Sequence, residues 1–482
     1  MRLVHATFTL TASAAFVLAA CSFGPSGEPP AMPSPAHYGA APQPARTATA
    51  AGVAQQFDIG AQPVPQWWRL YRSDALDALV DEGLRASPTL AATEKSLAAA
   101  HEQLRAQIGS SLLPTIDAAG QVTRERYLGI PKAGPNTVTY DVFVGQIEAH
   151  YTFDLFGAVR YANAALGARI DQQAFQLEAA RRALAANIVG AVISAATLDK
   201  QIAITERLVA LANETAREDE RRYALGSVPH TQALASRQSA QAIAATLAGL
   251  RQQRATAVHA LAVLIGRTPD AAPAIPDLTS LTLPEHVPVV VPSELLRTRP
   301  DIRAADALVK ETAAEVGAAT AQLFPSLSLT ASMGQGGFSW PAAVSGAGAI
   351  WSLGAGISQP IFHGGALRAQ RRAAIDSYDA AVSQYKATVL SAFQNVADTL
   401  AALEHDAEAS ASTQAAARTA RSAFDETAAR RRLGALPPSV ERSSEQGYLN
   451  AEFDAVRATS AWFSDTAALF QAMGGNPVAA HP

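Results

Sequence analysis

The sequence predicts a mainly α protein with a small β part, built from very long helices and duplicated within one chain. Three observations carry this prediction. Ala366 to Leu433 runs 68 residues without a Gly or Pro, and at about 1.5 Å per residue such a stretch makes one rod of roughly 100 Å. Moving back 208 residues gives Ala158 to Leu225, again 68 residues, free of Pro and interrupted only by Gly167 and Gly190. Ahead of each rod the apolar period drops to two, which marks paired strands.

Residues 1–20 form a signal peptide, with Arg2 in a short basic region and an apolar run to Val17. Cys21 is the only cysteine and follows Leu18-Ala19-Ala20. That arrangement resembles the lipobox of bacterial lipoproteins, which would make Cys21 the acylated N-terminus; an ordinary signal with an incidental Cys is the alternative. By the sorting rule for such lipoproteins, Ser22 directs export to the outer membrane. Residues 21–52 hold seven prolines among Ala, Ser and Gly and are expected to form a semi-extended, mobile tether. The net charge of −4 provides no basic field for nucleic acid.

The first repeat spans 53–266. Trp67, Trp68, Leu70 and Tyr71 predict a packed opening segment, and Ser73 caps a helix with Asp74 and Asp77 in its first turn. That helix is expected to reach about Ile108, kinked or divided at Pro88. A β-hairpin over 114–153 follows. Its second run places Phe143, Ile147, Ala149, Tyr151 and Phe153 on one face and Gln146, Glu148 and His150 on the other. The long helix 158–225 ends at Gly226, with Pro229 beyond, and a return helix covers 230–266. Within the rod, Ala183 to Leu198 carries no charge. It is too short and too Ala-rich for a membrane span, so a buried helix face is expected.

A Pro-rich linker, 267–299, leads to the second repeat, 300–474. Pro300 and Asp301 start a helix, a hairpin covers 326–361, the long helix runs 366–433, and a return helix covers 439–473 before a tail at 475–482. In the second rod Leu367, Ile375, Tyr378, Val382, Tyr385, Val389, Phe393, Val396, Leu400 and Leu403 make a narrow seam for lateral helix packing. Gly226 with Gly434, Gly266 with Gly474 and Pro269 with Pro477 all keep the 208-residue offset, a register that indicates duplication. Each rod can be matched by two half-length helices end to end, for example 230–266 with 74–108. Segments 53–73 and 267–300 and the tail then form an equatorial belt.

The lipobox, the doubled helix-hairpin-helix plan, Asp154-Leu155-Phe156-Gly157, Gln359-Pro360-Ile361-Phe362 and Arg299-Pro300-Asp301-Ile302 together resemble the TolC-like outer-membrane efflux proteins. The likeness is to the lipoprotein subgroup serving RND-type multidrug pumps (OprM-like or NodT-type), and it covers nearly everything after residue 60. It implies a homotrimer whose twelve strands close a transmembrane barrel, continued by a periplasmic α-helical barrel with an equatorial belt. Physics agrees, since four strands cannot close a barrel and an open sheet edge in lipid is costly. The implied partners are further copies of the chain, a periplasmic adaptor (membrane fusion protein), an inner-membrane RND pump and outer-membrane lipids. No cofactor is implied beyond lipid on Cys21.

No catalytic or metal site is expected. The sequence has no phosphate loop, no His-Glu-x-x-His and no Gly-x-Ser-x-Gly elbow. The Gly334, Gly336 and Gly337 cluster follows a strand but precedes no helix, which suits a barrel loop. Tyr140, Phe143, Tyr151, Phe153, Trp351 and Phe362 are expected in the aromatic girdle. The resemblance makes the two rod-end turns the adaptor-docking tip: Tyr223, Ala224, Leu225, Gly226 and Val228, and Leu433, Gly434, Ala435 and Leu436. Relatives ring the narrowest point with a carboxylate where this chain has Ser443. Glu441 and Glu445, with Arg432 and Arg442 as partners across protomers, are the candidate gate. Two alternatives are a channel for type I protein secretion or metal efflux, and a lipid-anchored periplasmic scaffold without a pore.

Overall fold

A computed structural model describes residues 23–33, 35–39, 44–50, 52–128, 135 and 137–474. Cys21, the signal peptide and the tail at 475–482 lie outside the described residues. The chain divides into two compact units, and the four helices that contribute to both are continuous.

The first unit gathers the described residues of Met1–Ala31 with Ser96–Ala174 and Ala304–Lys386. It holds a four-stranded antiparallel sheet of β2 (Thr115–Leu128), β3 (Thr137–Phe153), β5 (Ser326–Gly337) and β6 (Ala349–Ser358), in the order β2-β3-β5-β6. The two hairpins are joined by the β3–β5 pair, whose register sets Ile147 beside Met333 and Phe153 beside Leu327. The second hairpin, β5 with β6, differs from expectation in its details. β5 continues to Gly337, past Met333, and a short helix, Trp340–Val344, follows it in the glycine-rich loop. β6 stops at Ser358 instead of Ile361, because Pro360 has no N–H to give a ladder.

Helices leave the sheet through tailored turns. Asp154 accepts from the amides of Val159 (3.0 Å) and Arg160 (2.9 Å), capping the long helix Ala158–Ala224. At the other long helix, Ala366–Arg432, Gly364 and Gly365 take φ of 61° and 84°, a region glycine adopts without a Cβ penalty. The N-terminal segment is no free tether. The Phe23 ring packs on Phe324 (4.6 Å) and Phe156 (6.4 Å), and its amide donates to the Tyr161 hydroxyl at 2.9 Å. Two aromatic anchors, Phe23 and Tyr38, dock a stretch whose composition points to mobility.

The second unit gathers the described residues of Met32–Lys95 with Phe175–Arg303 and Ala387–Pro482. Numbered along the chain, the helices are α1 (Asp74–Ala86), α2 (Pro88–Leu112), α3 (Ala158–Ala224), α4 (His230–Leu264), α5 (Pro292–Thr298), α6 (Pro300–Ala321), then α7 (Trp340–Val344) within the first unit, α8 (Ala366–Arg432) and α9 (Pro438–Ala472). Ser73 caps α1 as expected, accepting from Leu76 N. Pro88 divides rather than kinks: Ser87 is extended (φ −65°, ψ 120°), as steric conflict with the following proline ring demands. α2 runs on past Ile108 to Leu112, while α1 is a separate helix burying Leu76, Leu79 and Val80.

The uncharged run of α3 is buried, with Ile188, Val189, Val192 and Ile193 inaccessible to solvent. The α8 seam is buried at Tyr385, Val389, Val396, Leu400 and Leu403. Two of the segments assigned to the belt meet: β1 (Gln56–Ile59) pairs in parallel with β4 (His286–Val289). The base of α9 locks into it. Trp462 Nε1 donates to Gln55 Oε1 at 2.7 Å, Tyr71 donates to the Phe463 carbonyl at 2.8 Å, and Trp67 stacks on Phe470. Tyr38 donates to the Val290 carbonyl at 2.6 Å, and burial raises its phenol well above the ordinary range.

The duplication is visible at two junctions. Gly266, after α4, lies so close to the α1–α2 junction that a Cβ there would sit 2.5 Å from the Ala86 oxygen. Gly474, after α9, lies similarly against the α5–α6 junction, 2.9 Å from Arg299 Cα by the same measure. Arg299 donates to the Ala472 carbonyl (3.1 Å) and the Ala392 carbonyl (3.3 Å), and buried Arg182 donates to the Phe470 carbonyl (3.0 Å). Two guanidinium groups thus meet the negative C-terminal end of α9. Burial lowers Arg182 to about 10.

Candidate functional site

The sheet has two chemically distinct faces, fixed by the period-two alternation and an unbroken register. One carries Ile116, Phe143, Ile147, Tyr151, Phe153, Leu329, Met333, Trp351, Leu353 and Ile357. The other carries Thr115, Asp117, Gln146, Glu148, His150, Ser328, Thr330, Ser332 and Ser352. On the apolar face Trp351 is 80% exposed and Ile357 77%. Such an apolar surface is unfavourable in water and suits lipid. Tyr140 departs from the expected girdle: it stands on the polar face, stacked on Tyr127 at 5.7 Å. Phe362 lies beyond the end of β6, 84% exposed.

The two rod-end turns are copies of each other. At the first, Leu225 N, Gly226 N and Ser227 N donate to the carbonyls of Arg221, Tyr223 and Arg222. At the second, Leu433 N, Gly434 N and Ala435 N donate to those of Ala429, Arg431 and Arg430. Gly226 and Gly434 take φ of 69° and 77°, the left-handed stop that lets the last carbonyls find donors. Pro229 and Pro437 then open the return helices with nearly equal backbone angles. Each turn raises a leucine into solvent, Leu225 at 81% and Leu433 at 85% exposure, and half-buries the equivalent Val228 or Leu436 beneath it. Ala224 and Ala435 are exposed beside them. Tyr223 stacks on His230 at 4.6 Å.

A family model described as outer membrane efflux protein matches residues 79–267 and 291–475. The chain belongs to the outer membrane efflux protein family. Among its relatives, Outer membrane protein OprJ of Pseudomonas aeruginosa is 33% identical over 393 residues, covering 80% of this chain and 79% of that protein. A probable efflux pump outer membrane protein, TtgC of Pseudomonas putida, is 31% identical over 402 residues, covering 80% and 78%. The open state of the Neisseria gonorrhoeae MtrE outer membrane channel superposes with a TM-score of 0.76 at 26% identity, covering 93% of this chain and 98% of that one. This efflux protein is therefore the outer-membrane channel component of an RND-type tripartite system, with a periplasmic extension; it conducts and does not catalyse.

In this efflux protein the two acidic candidate gate residues, Glu441 and Glu445, are engaged within their own chain. Arg207 of α3 grips Glu445 with two hydrogen bonds, 2.6 and 2.8 Å, and that bond to Glu445 raises the Arg207 guanidinium above its usual range. Glu441 pairs with Arg431 at 3.7 Å rather than with Arg432 or Arg442. Arg432 reaches only the Ala428 carbonyl at 3.4 Å, and Arg442 Nε is buried without a hydrogen-bond partner. Neither has a carboxylate partner among the described residues. Ser443 is exposed. Sequence reasoning missed Arg207, which stands 238 residues before its partner on a rod whose duplicate shows no equivalent charge.

Proposed function

We propose that this chain works as a lipid-anchored homotrimer, acylated on Cys21, in which three four-stranded sheets close one twelve-stranded barrel. The supporting observation is the sheet itself: among the described residues its edge strands β2 and β6 have no outer partner, its strands are all antiparallel, and one face is apolar and exposed. Unpaired backbone groups in hydrocarbon cost several kcal/mol each, so closure between copies satisfies them. The two tip turns dock a periplasmic adaptor, which joins the duct to an inner-membrane RND pump. Their exposed leucines above small residues offer an apolar socket to a helical hairpin. Glu441, Arg442, Glu445 and Arg432 tune closure around the tip, with Arg432 and Arg442 free to reach carboxylates of a neighbouring copy. Relatives described as the outer membrane proteins of a toluene efflux pump and an antibiotic efflux pump support small organic molecules as cargo.

Light scattering of the full-length protein in mild detergent tests the assembly. Three chains per particle with strand content retained is the expected result; a monomer retaining its strands overturns the shared barrel.

A further inference from the structure

The seam between α8 and α9 can be followed pair by pair. Arg421 donates to the Tyr448 hydroxyl at 3.2 Å while Phe424 stacks on the same ring. Nearer the belt, the Ser410 and Thr459 hydroxyls are hydrogen-bonded at 3.3 Å, and Gln414 donates to Thr459. These pairs fix an antiparallel register. Carried on toward the base of α9, the Ser410–Thr459 and Gln414–Thr459 pairs bracket Asp465 as the α9 position facing Asp406 of α8, and the Asp406 carboxyl meets that of Asp465.

Ionised carboxylates only accept, so two of them in contact repel unless one keeps a proton. Asp406 Oδ2 is buried and receives no donor from any other group. The surroundings supply little compensation. His405, next along α8, is turned to Glu408 at 3.6 Å. From the turn before α1, Tyr71 faces Asp465, but its hydroxyl proton is committed to the Phe463 carbonyl. Among the described residues neither carboxylate has an ion pair with Lys or Arg, and Leu403, Ala407, Trp462 and Thr466 close the seam around them.

We propose that Asp406 and Asp465 form a proton-sharing latch that holds the belt end of the α8–α9 pair together and releases it as the surroundings turn alkaline. Desolvation first, and the facing Asp465 carboxyl second, raise Asp406 to about 7. The folded pKa lies above the unfolded one, so the native state binds the extra proton. The contribution to stability is complete below the unfolded value and is lost as pH rises through about 7. The latch sits on helices of the periplasmic extension, where pH follows the world outside the cell.

The test is thermal unfolding of the full-length protein from about pH 5 to about pH 9, with Asp406→Asn and Asp465→Asn beside the wild type. Infrared spectra would be recorded in the protonated-carboxyl region. The wild type should lose Tm across neutrality as its protonated-carboxyl band disappears. In Asp406→Asn the amide donates to Asp465 at every pH, so its Tm should stay flat over that interval and exceed the wild type at the alkaline end, with the band missing. Asp465→Asn should behave alike. Parallel Tm profiles for all three proteins overturn the latch, as does a band that persists in both variants. Rescue of the alkaline wild type by calcium, with no band at acid pH, also overturns it, because the pair then holds a cation instead of a proton.

Discussion

The two helix pairs that end in the tips, α3 with α4 and α8 with α9, share lengths, turns and capping angles, yet are held together by different means. Between α3 and α4 three cross-helix ion pairs recur along the seam: Asp199 with Arg254, Glu206 with Arg251 and Glu220 with Arg237. Between α8 and α9 a single long pair, Arg431 with Glu441 at 3.7 Å, accompanies a stacked ring, two hydroxyls and two facing carboxyls. In addition α9 leans on α3 through Glu445 and an apolar cluster of Ile204, Leu208, Leu211 and Leu449. Duplication has kept the backbone and rewritten the faces. The α3–α4 pair is clasped along its length, whereas α9 is held firmly at the belt and by α3, and more loosely by α8.

The largest effect should come from cutting α9 loose at its firm end. Trp462 is fully buried and bonded to Gln55, so Trp462→Ala should cost about 3–5 kcal/mol; a lowered Tm with faster amide exchange confined to α8 and α9 would be the signature. Equal exchange gains in α3 and α4 would erase the distinction between the pairs. A smaller loss is expected for Tyr448→Leu, which removes the Phe424 stack and the Arg421 guanidinium lying 5.0 Å over the ring. The ring contact is worth about 0.5–1.5 kcal/mol beyond area, read as a modest drop in Tm that is insensitive to salt. The smallest change per residue should follow Arg237→Gln, Arg251→Gln and Arg254→Gln, since exposed pairs contribute about 0–1 kcal/mol each. Their combined effect should vanish in roughly 1 M salt, where the screening length shrinks to about 3 Å. A loss that survives high salt would show that the arginine stems, not their charges, join α3 to α4.

Much of this architecture was legible because it rests on local chemistry. Gly226 and Gly434 stop rods and Pro229 and Pro437 turn them whatever else the chain does, and alternating side chains announce strands wherever one face meets lipid. Pro88 announced a break, though its outcome as two separate helices depended on what α1 could bury. The tips were legible as turns for the same local reason. What escaped was pairing at long range. Glu445 has several arginines nearby in sequence but meets Arg207, Gln55 meets Trp462 from 407 residues away, and Phe23 finds Phe156 and Phe324. Such partners are set by how packed helices face one another, a property that no single segment encodes. Tyr140 misled because an aromatic in a strand points either way, and only the register chose the polar face.

The close approaches at Gly266 and Gly474 bear on how the molecule can bend. A continuous helix such as α3 or α8 resists flexing along its whole length, since curvature must be shared among its hydrogen bonds. The half-length helices have no hydrogen-bond ladder across their meeting points, only a bare glycine pressed against the turn before a proline-led helix start. A side chain at either glycine would act as a wedge in the joint, whereas the missing Cβ lets the helix end seat directly against the backbone it meets.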